Sequence, residues 1–198
     1  YCIWKRDYKI KKINLCASII YMTLNIAVLA SGRGSNFKAI LDAIKNKKCD
    51  ARVLCLISDN PNAQAINYAK EENIAVHVFE RKNYSSAIEF DDAILEVLKK
   101  YNPDLIVLAG YMRLIRSKNF LDYFKNKIIN IHPSLLPKYP GLEAQKQAFL
   151  AGEKVSGLTI HIVNEKLDAG PIIYQKKVDI SDCKSAQEVA DKILKYEH

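Results

Sequence analysis

Short apolar runs and longer amphipathic stretches alternate along the chain. Residues 24–30 form an unbroken run rich in branched side chains, as expected of a strand buried on both faces. Ser31-Gly32-Arg33-Gly34-Ser35-Asn36 interrupts it, and residues 37–47 follow with Phe37, Ile40, Leu41 and Ile44 at helical spacing. Residues 52–57 predict a second strand, closed by Ser58-Asp59-Asn60-Pro61-Asn62, and a helix runs from there to Glu72. Residues 74–79 predict a third strand. Residues 87–101 predict a helix with Ile88, Ala93 or Ile94, Val97 and Leu98 facing inward, stopped by Asn102-Pro103-Asp104.

The same reading predicts a strand at 105–109, a short helix at 117–124 and a strand at 127–131. A proline-rich loop then leads to a helix at 143–150. Strands at 157–163 and 171–178 are expected to pair antiparallel through Asp168-Ala169-Gly170, and a last helix starts over 187–196. Regular alternation of strand and helix predicts an α/β fold: a doubly wound, mostly parallel sheet with an antiparallel C-terminal strand pair. Repeats, low-complexity tracts and linkers are absent from the sequence, so residues 22–198 are expected to form one domain.

Composition changes this picture little. At 198 residues, 49% apolar and 26% charged, the chain suits a single globular core. Five of its basic residues stand against one acid in residues 1–22, so half of the formal +8 charge is local. The mildly basic remainder suits anionic small molecules, and no RNA-binding signature accompanies it, so no nucleic acid is expected. Residues 1–21 read as an N-terminal extension outside the fold, with Met22 just before the first strand. Their apolar part is too short to span a membrane. Cys2, Cys16, Cys49, Cys55 and Cys183 are scattered without a CxxC pair, which predicts reduced thiols, no zinc site and a cytoplasmic setting.

Three stretches carry chemistry. Gly32, Gly34, Ser35 and Asn36 lie between a strand and a helix, where close backbone and free helix N–H groups favour a phosphate. Phe37 occupies the place of the third glycine of a dinucleotide fingerprint, and no Lys-Ser/Thr follows, so a monophosphate fits best. Asn130 and His132 are two apart at a strand end, so an amide and an imidazole share one face where open α/β sheets bind ligands. Asp168 supplies a carboxylate in a turn. Spacing alone does not bring it to His132, and His77 and His161 receive no role.

These stretches, with Ala109-Gly110-Tyr111-Met112-Arg113 and the run from Asn130 through His132-Pro133-Ser134-Leu135-Leu136-Pro137-Lys138-Tyr139-Pro140 to Gly141, closely resemble the phosphoribosylglycinamide formyltransferases. That is a folate-dependent family of purine synthesis within the formyltransferase superfamily. The likeness runs in order from Met22 to the end. The resemblance implies formyl transfer from 10-formyltetrahydrofolate to the amine of the ribonucleotide, with no metal, in a monomer or homodimer. It implies His132 as general acid/base, Asn130 as a donor to the oxyanion and Asp168 as the carboxylate that raises the His132 pKa. Gly34, Ser35 and Asn36 would hold the phosphate, and Glu197 the ribose. Met112, Arg113, Leu114 and Ile115, together with Asn130, would line the folate site, Arg113 reaching the glutamate tail.

Two departures stand out. The family commonly has a folate-contacting Arg where this chain has Ala87, which leaves Arg81 or Lys82 as substitutes. Glu143 stands where the family has a His or small polar residue. The family also continues beyond His198, so a C-terminally truncated domain is expected. The alternatives are formyl hydrolysis, formylation of another amine, a non-catalytic folate- or nucleotide-binding module, and a dinucleotide oxidoreductase lacking its third glycine.

Overall fold

The computed structural model describes residues 23–198, and the predicted N-terminal extension lies outside them. Seven strands form one sheet in the order β3-β2-β1-β4-β5-β6-β7. They are β1 (Leu24–Leu29), β2 (Ala51–Ser58), β3 (Ala75–Val78), β4 (Leu105–Leu108), β5 (Ile128–His132), β6 (Val155–Ile162) and β7 (Ile172–Asp179). The first five are mutually parallel, and β6 and β7 are antiparallel to their neighbours. The helices are α1 (Ser35–Lys45), α2 (Gln64–Glu71), α3 (Ala87–Tyr101), α4 (Lys118–Tyr123), α5 (Ala144–Leu150) and α6 (Ala186–Glu197).

The unbroken apolar runs exist because both sheet faces are covered. On one face Ala27, Leu29, Ile57, Ile106 and Leu108 pack against Phe90, Ile94 and Leu98 of α3 and Phe120 of α4. On the other, Ile26, Val28, Leu56 and Val107 pack against Phe37 of α1 and Ala65, Ile66 and Ala69 of α2. A third cluster joins Leu158 and Val178 to Val189 and Ile193 of α6. The predicted elements are all present, with ends moved by one or two residues. A short 3-10 turn at Arg81–Asn83 is additional.

One inward assignment is corrected. Ile88 is 53% exposed. The buried stripe of α3 is Phe90, Asp91, Ile94, Leu95 and Leu98. At about 100° per residue, Ile88 points roughly 200° away from Phe90, across the helix. Ser86 caps the helix by accepting from the Glu89 N–H at 3.1 Å, which fixes where it starts.

Strand order reverses between β1 and β4, and both strands end at the same sheet edge. In doubly wound sheets that crevice is the ligand site. The loops after β1 and β4, and the last residues of β5, all open onto it.

Candidate active site

A cleft of about 550 Å³ lies at this edge. Each site residue singled out from the sequence lines it: Gly34, Ser35 and Asn36 after β1, Met112 to Ile115 after β4, Asn130 and His132 on β5, Asp168, and Glu197 on α6. The strand pleat puts the Asn130 and His132 side chains on one face. The antiparallel return of β6 sets His161 directly opposite Asn130.

His132 is 4% exposed. Its Nε2 lies 2.9 Å from the Tyr139 carbonyl oxygen. A carbonyl only accepts, so Nε2–H donates and Nδ1 is the nitrogen left to take or give a proton. That Nδ1 is 3.4 Å from Asp168 Oδ2. The Asp168 backbone has φ +47, a turn conformation that aspartate tolerates better than most residues. Its Oδ2 also accepts the Gly141 N–H at 2.8 Å, and its Oδ1 is 3.5 Å from His161 Nε2. Burial, the largest influence, pushes the Asp168 pKa up. The nearby His161 ring, the Gly141 N–H and the His132 ring together outweigh it and hold the carboxyl below its ordinary range. Asp168 is therefore an anion at neutral pH.

His161 is the residue that sequence reasoning passed over. It is 2% exposed. Its Nδ1–H donates to the Ile162 carbonyl at 3.0 Å, so a neutral ring offers Nε2 as acceptor to Asn130 Nδ2 at 3.3 Å. The other Asn130 contact, to Asp168 Oδ1, is 3.5 Å long and weak. That amide hydrogen is the one available to an oxygen entering the cleft.

The loop after β1 meets α1 at Gly34, which has φ +70 and caps the helix without a side chain. The first N–H groups of a helix have no intrahelical partner. The first turn of α1 contains no acidic residue of its own, which suits these donors to an anion. Asn36 Nδ2 donates to Glu197 Oε2 at 2.7 Å, tying the α6 end to this loop, while Asn36 Oδ1 is buried and unpartnered.

The loop after β4 is clamped from beneath. The Met112 N–H donates to Ser31 Oγ at 2.9 Å, and the Ser117 N–H donates to Asp91 Oδ2 at 2.9 Å. Met112 is 66% exposed and offers an apolar surface, whereas Ile115 is buried in the core. Arg113 Nε donates to Asp59 Oδ2, and the guanidinium lies over the Phe90 ring at 5.7 Å. A recess of about 240 Å³ opens beside this loop, lined by Arg81, Arg113 and Arg116 around Ala87 and Phe90. Lys82 pairs with Glu80 and is not part of that lining. Glu143 is exposed at the cleft rim, with φ +55 and an ion pair to Lys146 at 3.1 Å.

Among the described residues, no group of three or more His, Cys, Asp or Glu side chains is arranged to hold a metal ion. No helix among them is long and apolar enough to cross a membrane.

Residues 24–198 match the sequence profile described as formyl transferase. Over 172 residues the chain is 46% identical to the phosphoribosylglycinamide formyltransferase of Bacillus subtilis, covering 87% of this chain and 88% of that one. Over 173 residues it is 44% identical to the enzyme of the same name from Haemophilus influenzae, covering 87% and 81%. Among solved structures, glycinamide ribonucleotide transformylase 1 from Geobacillus kaustophilus superposes with a TM-score of 0.85 at 44% identity, covering 89% and 94% of the two chains.

Proposed function

The chain belongs to the formyl transferase family, and from that premise we propose that it carries the formyl group of 10-formyltetrahydrofolate to the amine of 5'-phosphoribosylglycinamide. The products are the formylated ribonucleotide and tetrahydrofolate. The observation that carries this reading is the sharing of one cleft by an uncapped helix N-terminus and the Asn130, His132 and Asp168 group.

The amine attacks the formyl carbon, a C–N bond forms, and negative charge collects on the formyl oxygen. Collapse breaks the bond to the folate nitrogen, which needs a proton as the amine loses one. His132 Nδ1, paired with the Asp168 anion, moves that proton. The second amide hydrogen of Asn130 meets the oxyanion. A donor of this kind is worth about 2.7–4 kcal/mol of transition-state stabilisation. His161 orients the Asn130 amide and stands 3.5 Å from Asp168.

Gly34, Ser35 and Asn36 bind the ribonucleotide phosphate at the α1 N-terminus, and Glu197 accepts from a ribose hydroxyl. The Met112 to Ile115 backbone pairs with the pterin. The recess of Arg81, Arg113 and Arg116 takes the carboxylates of the tail, so Arg81 and Arg116 make up for the guanidinium missing at Ala87.

Gly34→Ala tests the phosphate loop. A Cβ there would stand 2.7 Å from Ala65 Cβ, and φ +70 costs a non-glycine residue roughly 1–2 kcal/mol. The KM for the ribonucleotide is expected to rise about tenfold or more, with the folate KM nearly unchanged. Equal weakening of both would remove the phosphate from this loop.

The proposed reaction is tested by following tetrahydrofolate release with and without the ribonucleotide. Release should require it. A ribonucleotide-independent release would make the protein a formyl-folate hydrolase, a reading that leaves the phosphate loop without a ligand.

A further inference from the structure

We infer that Tyr139 and Glu153 are positioning residues for this reaction, acting through the Tyr139 carbonyl to hold His132 in the tautomer that presents Nδ1 to the cleft. The inference rests on the acid–base reading of His132. Neither side chain lines the cleft, so any effect they have on turnover must pass through another residue.

A neutral imidazole carries its proton on either nitrogen, and the partner it meets decides which. Here two acceptors compete for the ring's proton, the Tyr139 carbonyl 2.9 Å from Nε2 and Asp168 Oδ2 3.4 Å from Nδ1, and the carbonyl, at full hydrogen-bond distance, favours Nε2–H. That carbonyl is aimed by an unusual backbone. Tyr139 has φ +57, a value rare for a bulky residue, and it precedes Pro140, which further restricts its conformation. Such geometry persists only where the surroundings hold it.

The surroundings are specific. The Tyr139 hydroxyl donates to Glu153 Oε1 at 2.8 Å, and Lys138 Nζ donates to the same oxygen at 2.7 Å. These two bonds hold the Glu153 carboxyl below its ordinary pKa range. Glu153 is itself fixed, its N–H donating to the Ala148 carbonyl at 3.2 Å just before β6. Two neighbouring residues of the loop are thus tied to one carboxylate on the framework. Ser134 Oγ reaches the Tyr139 carbonyl only at 3.3 Å and makes its short bond, 2.6 Å, to the Lys138 carbonyl. The side-chain anchor therefore restrains the carbonyl's direction together with the Ser134 hydroxyl.

The test reads the ring itself. The full chain is labelled with ¹⁵N-histidine, and the two-bond ¹⁵N–¹H correlation of His132 is identified among the four histidines by its loss in His132→Asn. In the parent, the neutral form of His132 should carry its proton on Nε2. Tyr139→Asn tolerates positive φ but cannot reach Glu153, and Glu153→Leu removes the acceptor. Both should give a mixed-tautomer signature and a kcat lowered about tenfold, with both KM values within about twofold. Glu153→Gln keeps an acceptor for the Tyr139 hydroxyl and should restore the parent signature and turnover. An unchanged tautomer in Tyr139→Asn and Glu153→Leu, even with a lowered melting temperature, would overturn the positioning role. A shifted tautomer with unchanged kcat would leave the hold on His132 standing and overturn its acid–base role instead.

Discussion

His132→Asn is expected to lower kcat for formyl transfer by about 10²–10⁴-fold, the range that a positioned general acid/base supplies. Binding of the ribonucleotide and of folate should change little. The ring is buried at the end of β5 and has one nitrogen left for a proton transfer, because the other is committed to the Tyr139 carbonyl. Asparagine removes the titrating nitrogen. The loop it leaves behind still has the Ser134 hydroxyl on the Lys138 and Tyr139 carbonyls, so the fold should survive. Steady-state kinetics together with equilibrium binding of each ligand checks this. Near-parent turnover in a folded variant would remove His132 from the chemistry.

Asp168→Asn is expected to lower kcat about 10²-fold, by removing the charge that faces the His132 ring while keeping an oxygen for the Gly141 N–H. The variant carries a second signature in its stability. The Asp168 carboxyl has its folded-state pKa below its unfolded value, about 3.9. Its contribution to stability is therefore fully present above that unfolded value and is lost as pH falls through the folded one. Above about pH 4 the parent should melt higher than Asp168→Asn, and the gap should close as the solution is acidified further. A gap that widens in acid would mean that Asp168 is held neutral in the fold, which would contradict its place opposite His132.

Most of the fold was legible because burial on both sheet faces leaves unbroken apolar runs, as in residues 24–30 and 105–109. That the Ser31 to Asn36 break and the Asn130/His132 pair would share one cleft was legible, because loops after parallel strands meet at one edge. Ile88 was misplaced because residues two apart lie on opposite sides of a helix, and an apolar side chain there reads like a core one. His161 could not be found in advance. It enters the site only through the register of β5 against β6, across 31 residues of sequence. The pairing of Asp168 with His132 had the same obstacle, since a turn residue's direction follows from its φ of +47 and not from spacing. The recess beside Ala87 was half legible: Arg81 stood out as a nearby charge, but Arg116 joins it only through the path of the loop after β4.

The most direct measurement follows the formyl carbon. The protein is given 10-formyltetrahydrofolate labelled with ¹³C at the formyl group, together with 5'-phosphoribosylglycinamide, and the products are resolved by NMR. The label is expected in a new amide on the ribonucleotide, in step with tetrahydrofolate. Label recovered as free formate, with the ribonucleotide unchanged, would contradict the transfer reaction and assign the cleft to hydrolysis.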